Sequence, residues 1–213
     1  MEDFLRAGVP DPGVRRPAPS PRIRLPESLL QPVSAVRIGP GNRRRPWPPA
    51  RCRTPVPTRW RPWLLDSGSL TERLLAASRG DLRVRVLNQR WARPRPDERR
   101  ILALGAGRRA LIREVLLIGC GEPWVYARSV LPPDLLRGRY RCLARLGERP
   151  LGGLLFRDPA LRRSRIEVTR RPVPTLPGLE YRPTGRAWLR RSLFYLDGKP
   201  LLVAEMFLPG FTP

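Results

Sequence analysis

Apolar and polar residues alternate most clearly near the end of the chain, in "AWLRRSLFYL-DG-KPLLVAEMFLP" (187–209). Asp197-Gly198 is the dipeptide a two-residue type I′ turn prefers, and strand formers flank it on both sides. A two-residue loop fixes the register. It sets Leu196 opposite Lys199, Phe194 opposite Leu201, Ser192 opposite Val203, Arg190 opposite Glu205 and Trp188 opposite Phe207. Glu205 therefore shares a face with Leu201, Val203 and Phe207. A carboxylate on an apolar face needs a partner or a function, and Arg190 is the partner the register supplies.

A second hairpin is written in "ALIREVLLIGCGEPWVYARSVLP" (110–132), with strands over Leu111–Ile118 and Trp124–Leu131 around "GCGEP". If the loop centres on Gly121, Glu114 lies opposite Arg128 and the two can pair on one face. Arg113 then points the other way, with Leu111, Val115 and Leu117, and lacks a local partner. That makes Arg113 the stronger ligand candidate, whereas Arg128 is equally well read as one half of an ion pair.

"DLRVRVLNQRW" (81–91) alternates as a strand with one wet face, and "SRIEVTR" (164–170) is a further strand. In "LLDSGSLTERLLAAS" (64–78), Ser69 is followed three residues later by Glu72, the spacing of a capping box. "PDERRILAL" supplies one or two helical turns starting at Pro96-Asp97. "PDLLRGRYRCLARLG" is helical, and Pro150 opens a short helix in "LGGLLF". These elements predict an α+β fold: one antiparallel sheet of about six strands with helices packed near one face.

Composition changes this picture mainly at the start of the chain. Thirteen of the 28 prolines fall in the first 60 residues, which show almost no apolar periodicity. Residues 1–59 are read as a disordered, Pro/Arg-rich extension, and 60–213 as the folded unit. Net charge is +24, a value that ordinarily suggests nucleic acid. Here the arginines are scattered rather than striped with aromatics, so nucleic acid is not the expected partner, although an anionic substrate benefits from the field. No leader peptide and no span of roughly 20 apolar residues are visible. Cys52, Cys120 and Cys142 show no C-x-x-C spacing. A cytoplasmic protein is expected.

The chain contains no histidine, which removes Ser-His-Asp triads, the usual Cys-His pair and the common His-based zinc sites. "GPGNRRRP" lacks the lysine and hydroxyl of a P-loop. Chemistry must rest on carboxylates, arginines and backbone amides, and the helix starts at Leu70 and Leu151 present free N–H groups.

"RPWLLDSGSLTERL" (61–74), "LIREVLLIGCGEPWVYARSVLP" (111–132), "LGERPLGGLLF" (146–156) and "GKPLLVAEMFLP" (198–209) resemble, in order and spacing, segments of bacterial chorismate lyase. The resemblance covers roughly residues 59–209. It implies conversion of chorismate to 4-hydroxybenzoate and pyruvate for ubiquinone synthesis, by a monomer needing no cofactor, metal or obligate protein partner. By resemblance Arg113 holds the ring carboxylate and Glu205 meets the hydroxyl end. Leu70 and Leu151 give backbone contacts, and Arg128 lies near the substrate carboxylates. The extension before Trp60 and the loop at 170–186 are longer than the family pattern, and the loop is expected to alter a lid over the pocket. A sensor of a small aromatic acid is the alternative, since regulator domains share the fold type; no helix-turn-helix precedes residue 60.

Overall fold

The computed structural model describes residues 55–177, 179 and 185–213. The expected extension therefore lies outside the described residues apart from 55–59, as does part of the long loop. Among the described residues seven strands form one sheet: β1 (Leu82–Ala92), β2 (Ala110–Gly119), β3 (Glu122–Leu131), β4 (Arg162–Arg163), β5 (Glu167–Pro172), β6 (Arg186–Leu196) and β7 (Lys199–Phe207). Their order is β1-β2-β3-β7-β6, with β4 and β5 both pairing with β6, and every pairing is antiparallel. The α+β reading holds, with β4 as a two-residue addition to the expected strands.

The terminal hairpin has the anticipated register from Leu196↔Lys199 through Arg190↔Glu205. Asp197 and Gly198 both have positive φ, 48° and 73°, as a type I′ turn requires. The β2–β3 turn uses Cys120 and Gly121 in the same way, with φ of 52° and 83°. That turn alone would put Glu114 opposite Ala127. An extra residue at Trp124, where the register shifts between Leu117 and Ile118, restores the Glu114↔Arg128 pairing. Gly119 makes this possible, because a Cβ there would sit 2.3 Å from the Trp124 ring.

Alternation gives the sheet two apolar faces. On one, Val115, Leu117, Val125, Ala127, Trp188 and Phe207 pack under α1 (Arg61–Leu64) and α2 (Leu70–Ala77). Farther along that face, Leu111, Leu131, Phe194, Leu201 and Val203 pack under α4 (Leu151–Leu155) and the segment Gly138–Arg145. The latter is a 3-10 helix, and its buried residues Tyr140 and Leu143, followed by Leu146, recur every third position as that helix demands. The other face carries α3 (Pro96–Ile101), with Leu102 packed on Ile112, Val130 and Leu202. Helices thus cover both faces, most of them on the first.

The described part of the long loop also lies on the second face: Leu176 is buried with Leu116, Tyr126 and Met206. Residues 178 and 180–184 of that loop, and with them the expected effect on a lid, lie outside the described residues. None of the described helices is long and apolar enough to cross a membrane.

Candidate active site

A cavity lies between the first face of the sheet and the starts of α2 and α4. It is lined by Arg113, Val115 and Leu117 of β2, Ala127 and Ser129 of β3, Val203 and Glu205 of β7, and Arg190 and Phe194 of β6. Leu70 and Thr71, Leu151 and Gly152, and Arg163 also line it. The centre of a water-sized sphere can occupy about 50 Å³ of it, several times the roughly 10–15 Å³ one water needs. Four of the five residues singled out in the sequence, Leu70, Arg113, Leu151 and Glu205, meet in this one space.

Arg113 is 2% exposed. Its Nη1 donates to Gln89 Oε1 at 3.0 Å, and its Nη2 to the carbonyls of Gly147 at 2.8 Å and Arg149 at 3.2 Å. A bulge between Val86 and Asn88 in β1 brings Gln89 opposite Arg113. All these acceptors are neutral, and Arg113 has no ion-pair partner among the described residues. Burial lowers its pKa from the ordinary arginine value. A buried cation held only by neutral groups retains most of its desolvation cost, and an anion arriving in the cavity offsets it.

Glu205 stands two strands and two residues away, a Cα separation of about 12 Å from sheet spacings. Arg190, 1% exposed, donates from Nε to Glu205 Oε2 at 2.6 Å and from Nη1 to the Trp63 carbonyl at 2.7 Å. One carboxylate oxygen is thus fixed, and the other carries no hydrogen bond from the described residues. Arg190 was legible in the hairpin register as the partner of Glu205; its place in the cavity wall was not.

At the two helix starts, Ser69 Oγ caps α2 by accepting from the Glu72 amide at 3.3 Å, as the capping spacing predicted. The first amides of each helix lack intrahelical acceptors and sit at the cavity wall. The two helices meet closely at Gly152, where a Cβ would lie 2.8 Å from Thr71 Oγ1.

Arg128 is not in this cavity. It lies on the second face, with Nε and Nη2 on Glu98 at 2.6 and 3.0 Å and Nη1 on Glu114 at 3.0 Å. Burial works to raise the Glu98 and Glu114 carboxyls, but Arg128, with help from Arg95, Tyr126 and Asn88, outweighs it and holds both below the usual range. The ion-pair reading of Arg128 is the correct one. Its second partner, Glu98, comes from α3, thirty residues away in sequence, beyond the reach of strand arithmetic.

The sequence reading missed Arg163. This residue of β4 donates from Nε to Ser192 Oγ at 3.1 Å and from Nη1 to the carbonyls of Ser67, Gly68 and Asp66 at 2.8, 3.3 and 3.4 Å. Its guanidinium lies 4.8 Å from the centre of the Phe194 ring. "LRRSRIE" offers three closely spaced arginines and no local rule that selects one of them.

The sequence pattern of the family described as Chorismate lyase matches residues 44–212. A protein of Methylococcus capsulatus named "Probable chorismate pyruvate-lyase" is 46% identical over 156 residues, covering 70% of this chain and 93% of that protein. One of the same name from Thiobacillus denitrificans is 46% identical over 164 residues, 74% of this chain and 87% of its own length. Among solved structures, PhnF from Mycobacterium smegmatis superposes with a TM-score of 0.51 at 18% identity, covering 70% of this chain and 67% of that one. That likeness speaks to the fold alone. With most of its length matched by the family pattern and by these relatives, the chain belongs to the chorismate lyase family.

Proposed function

We propose that this protein removes pyruvate from chorismate to give 4-hydroxybenzoate, the ring precursor of ubiquinone, in the cytoplasm and as a monomer. The supporting observation is the cavity itself: a buried arginine without an acid partner at one end and a carboxylate with one oxygen free at the other. Chorismate carries a ring carboxylate at C1, an enolpyruvyl ether at C3 and a hydroxyl at C4. Arg113 anchors the ring carboxylate through charge-assisted hydrogen bonds, each worth about 1.5–3 kcal/mol. The helix-start amides at Leu70 and Leu151 add donors around the bound anion, and the free oxygen of Glu205 receives the C4 hydroxyl.

In the reaction the C3–O bond breaks and its electron pair leaves on the enolpyruvyl oxygen. The C4 hydrogen is lost as a proton and ends on the methylene carbon of the departing group, which becomes pyruvate. The electrons of the C4–H bond complete the aromatic ring. Aromatisation supplies the driving force, and the protein supplies orientation and a field that favours charge on the departing oxygen. Every one of these tasks is within reach of carboxylates, arginines and amides, in keeping with a chain that lacks histidine.

The test is ultraviolet detection of 4-hydroxybenzoate formed from chorismate, with Arg113→Ala and Glu205→Gln alongside the parent. The parent makes product, and Arg113→Ala loses on the order of 100-fold or more in kcat/KM, as two lost charged hydrogen bonds imply. A folded parent that gives no product above the uncatalysed rate refutes the proposal. Binding of 4-hydroxybenzoate without turnover would assign the protein to the sensor class instead.

A further inference from the structure

The cavity wall holds three arginines and one carboxylate: Arg113, Arg163, Arg190 and Glu205. Arg190 and Glu205 neutralise each other at 2.6 Å. Asp66, whose backbone carbonyl accepts from Arg163, has its carboxylate engaged by Arg73 at 2.7 Å. Neither Arg113 nor Arg163 has an ion-pair partner among the described residues. Two cations are therefore left uncompensated around one small space, whereas the ring carboxylate accounts for one.

Arg163 is also fixed in place. Its Nε and Nη1 are committed to Ser192 and to the carbonyls of residues 66–68, its face rests on Phe194, and its Nη2 donates to none of the described residues. Burial and the neighbouring Arg190 bring its pKa down to about 10, with Glu205 and Asp66 opposing them. Neutral acceptors orient such a group without cancelling its charge. Its position follows from the sheet: Arg163 pairs with Phe194 of β6, and its side chain runs to Ser192, next but one to the Arg190 that holds Glu205.

The C4 hydroxyl and the C3 ether of chorismate are on adjacent carbons. With the ring carboxylate at Arg113 and the hydroxyl at Glu205, the ether side chain is carried to the Glu205 end, where Arg163 waits. We infer that Arg163 is the second carboxylate anchor of the cavity, holding the enolpyruvyl carboxylate of chorismate and releasing it as pyruvate. This rests on the proposed function and adds a means of telling substrate from product. 4-Hydroxybenzoate has no second carboxylate, so Arg163 grips the substrate and is indifferent to the aromatic product.

The experiment compares Arg163→Gln and Arg163→Lys with the parent, measuring turnover of chorismate and, separately, binding of 4-hydroxybenzoate by calorimetry. Arg163→Gln raises KM for chorismate on the order of 10- to 100-fold, the loss expected for a charge-assisted contact. It leaves the 4-hydroxybenzoate dissociation constant within about threefold, because that ligand never reaches Arg163. Arg163→Lys keeps the charge and recovers part of the loss. Equal weakening of both ligands, or no change in either, overturns the inference, since a structural role would move the two together. If Arg163→Gln does not fold, the same split in the lysine variant decides. If the parent binds chorismate but does not turn it over, the proposed function fails. Direct titration of chorismate against 4-hydroxybenzoate in the same variants then still reads the anchor.

Discussion

Replacing Arg128 by Met separates a structural arginine from a substrate-binding one. The substitution keeps an apolar stem but removes the cation that serves both Glu98 and Glu114, which are 4% and 7% exposed. Removing one partner of a buried pair costs about 3–5 kcal/mol, because the remaining charge is stranded. Some support survives: Glu98 accepts from the Arg95 amide at 2.8 Å, and Glu114 accepts from Tyr126 and from Asn88. The loss should therefore fall within that range rather than doubling for two carboxylates. For a domain of 150–250 residues, it lowers the melting temperature by roughly 6–20 °C.

The pH dependence has a definite sign. In the parent both carboxyls lie below their ordinary range, so their contribution is full above about pH 4.5 and is lost as pH falls through the depressed values. In Arg128→Met, burial without a cation raises them, and protonation on acidification relieves the strain. The stability gap between the two proteins is widest near pH 7 and narrows toward pH 4. Thermal unfolding followed by circular dichroism at several pH values reads this directly. Turnover below the variant's transition should remain within about threefold of the parent, since Arg128 lies on the opposite face from the cavity; that bound is ~0.7 kcal/mol. An unchanged melting temperature combined with a large rise in KM would refute the assignment and return Arg128 to the substrate.

Gly119→Ala should be destabilising by about 3 kcal/mol, the upper end for overpacking, because its Cβ would meet the Trp124 ring at 2.3 Å. Gly105→Ala, whose nearest contact would be 3.7 Å, is the matched control and should melt close to the parent. Arg190→Met strands Glu205 and the Trp63 carbonyl, so stability should drop by about 3–5 kcal/mol and turnover should fall with it. Glu205→Gln on that background should add little to the loss in kcat, since the two residues act as one unit. Full additivity in that double-mutant cycle would show that Arg190 does not position Glu205.

The sequence by itself determined whatever depends on neighbours along the chain. Asp197-Gly198 set the register of the last hairpin, and that register placed Glu205 on an apolar face opposite Arg190. Strand alternation put Arg113 and Glu114 on opposite faces, and the Ser69 spacing marked the start of α2. These follow from turn chemistry and from the two-residue period of a strand, both of which are local.

The tertiary structure decided which charges meet. Arg128 found Glu98 because α3 docks on the second face, where Leu176 of the loop after β5 also packs. Arg163 became part of the cavity because carbonyls almost a hundred residues earlier receive its guanidinium. Such partnerships depend on strand order and on which face a helix covers, and two arginines with the same sequence surroundings can end up on opposite sides of the sheet. Burial then fixes their meaning: a cation with a carboxylate beside it supports the fold, and one held by neutral groups in a cavity is left to receive an anion.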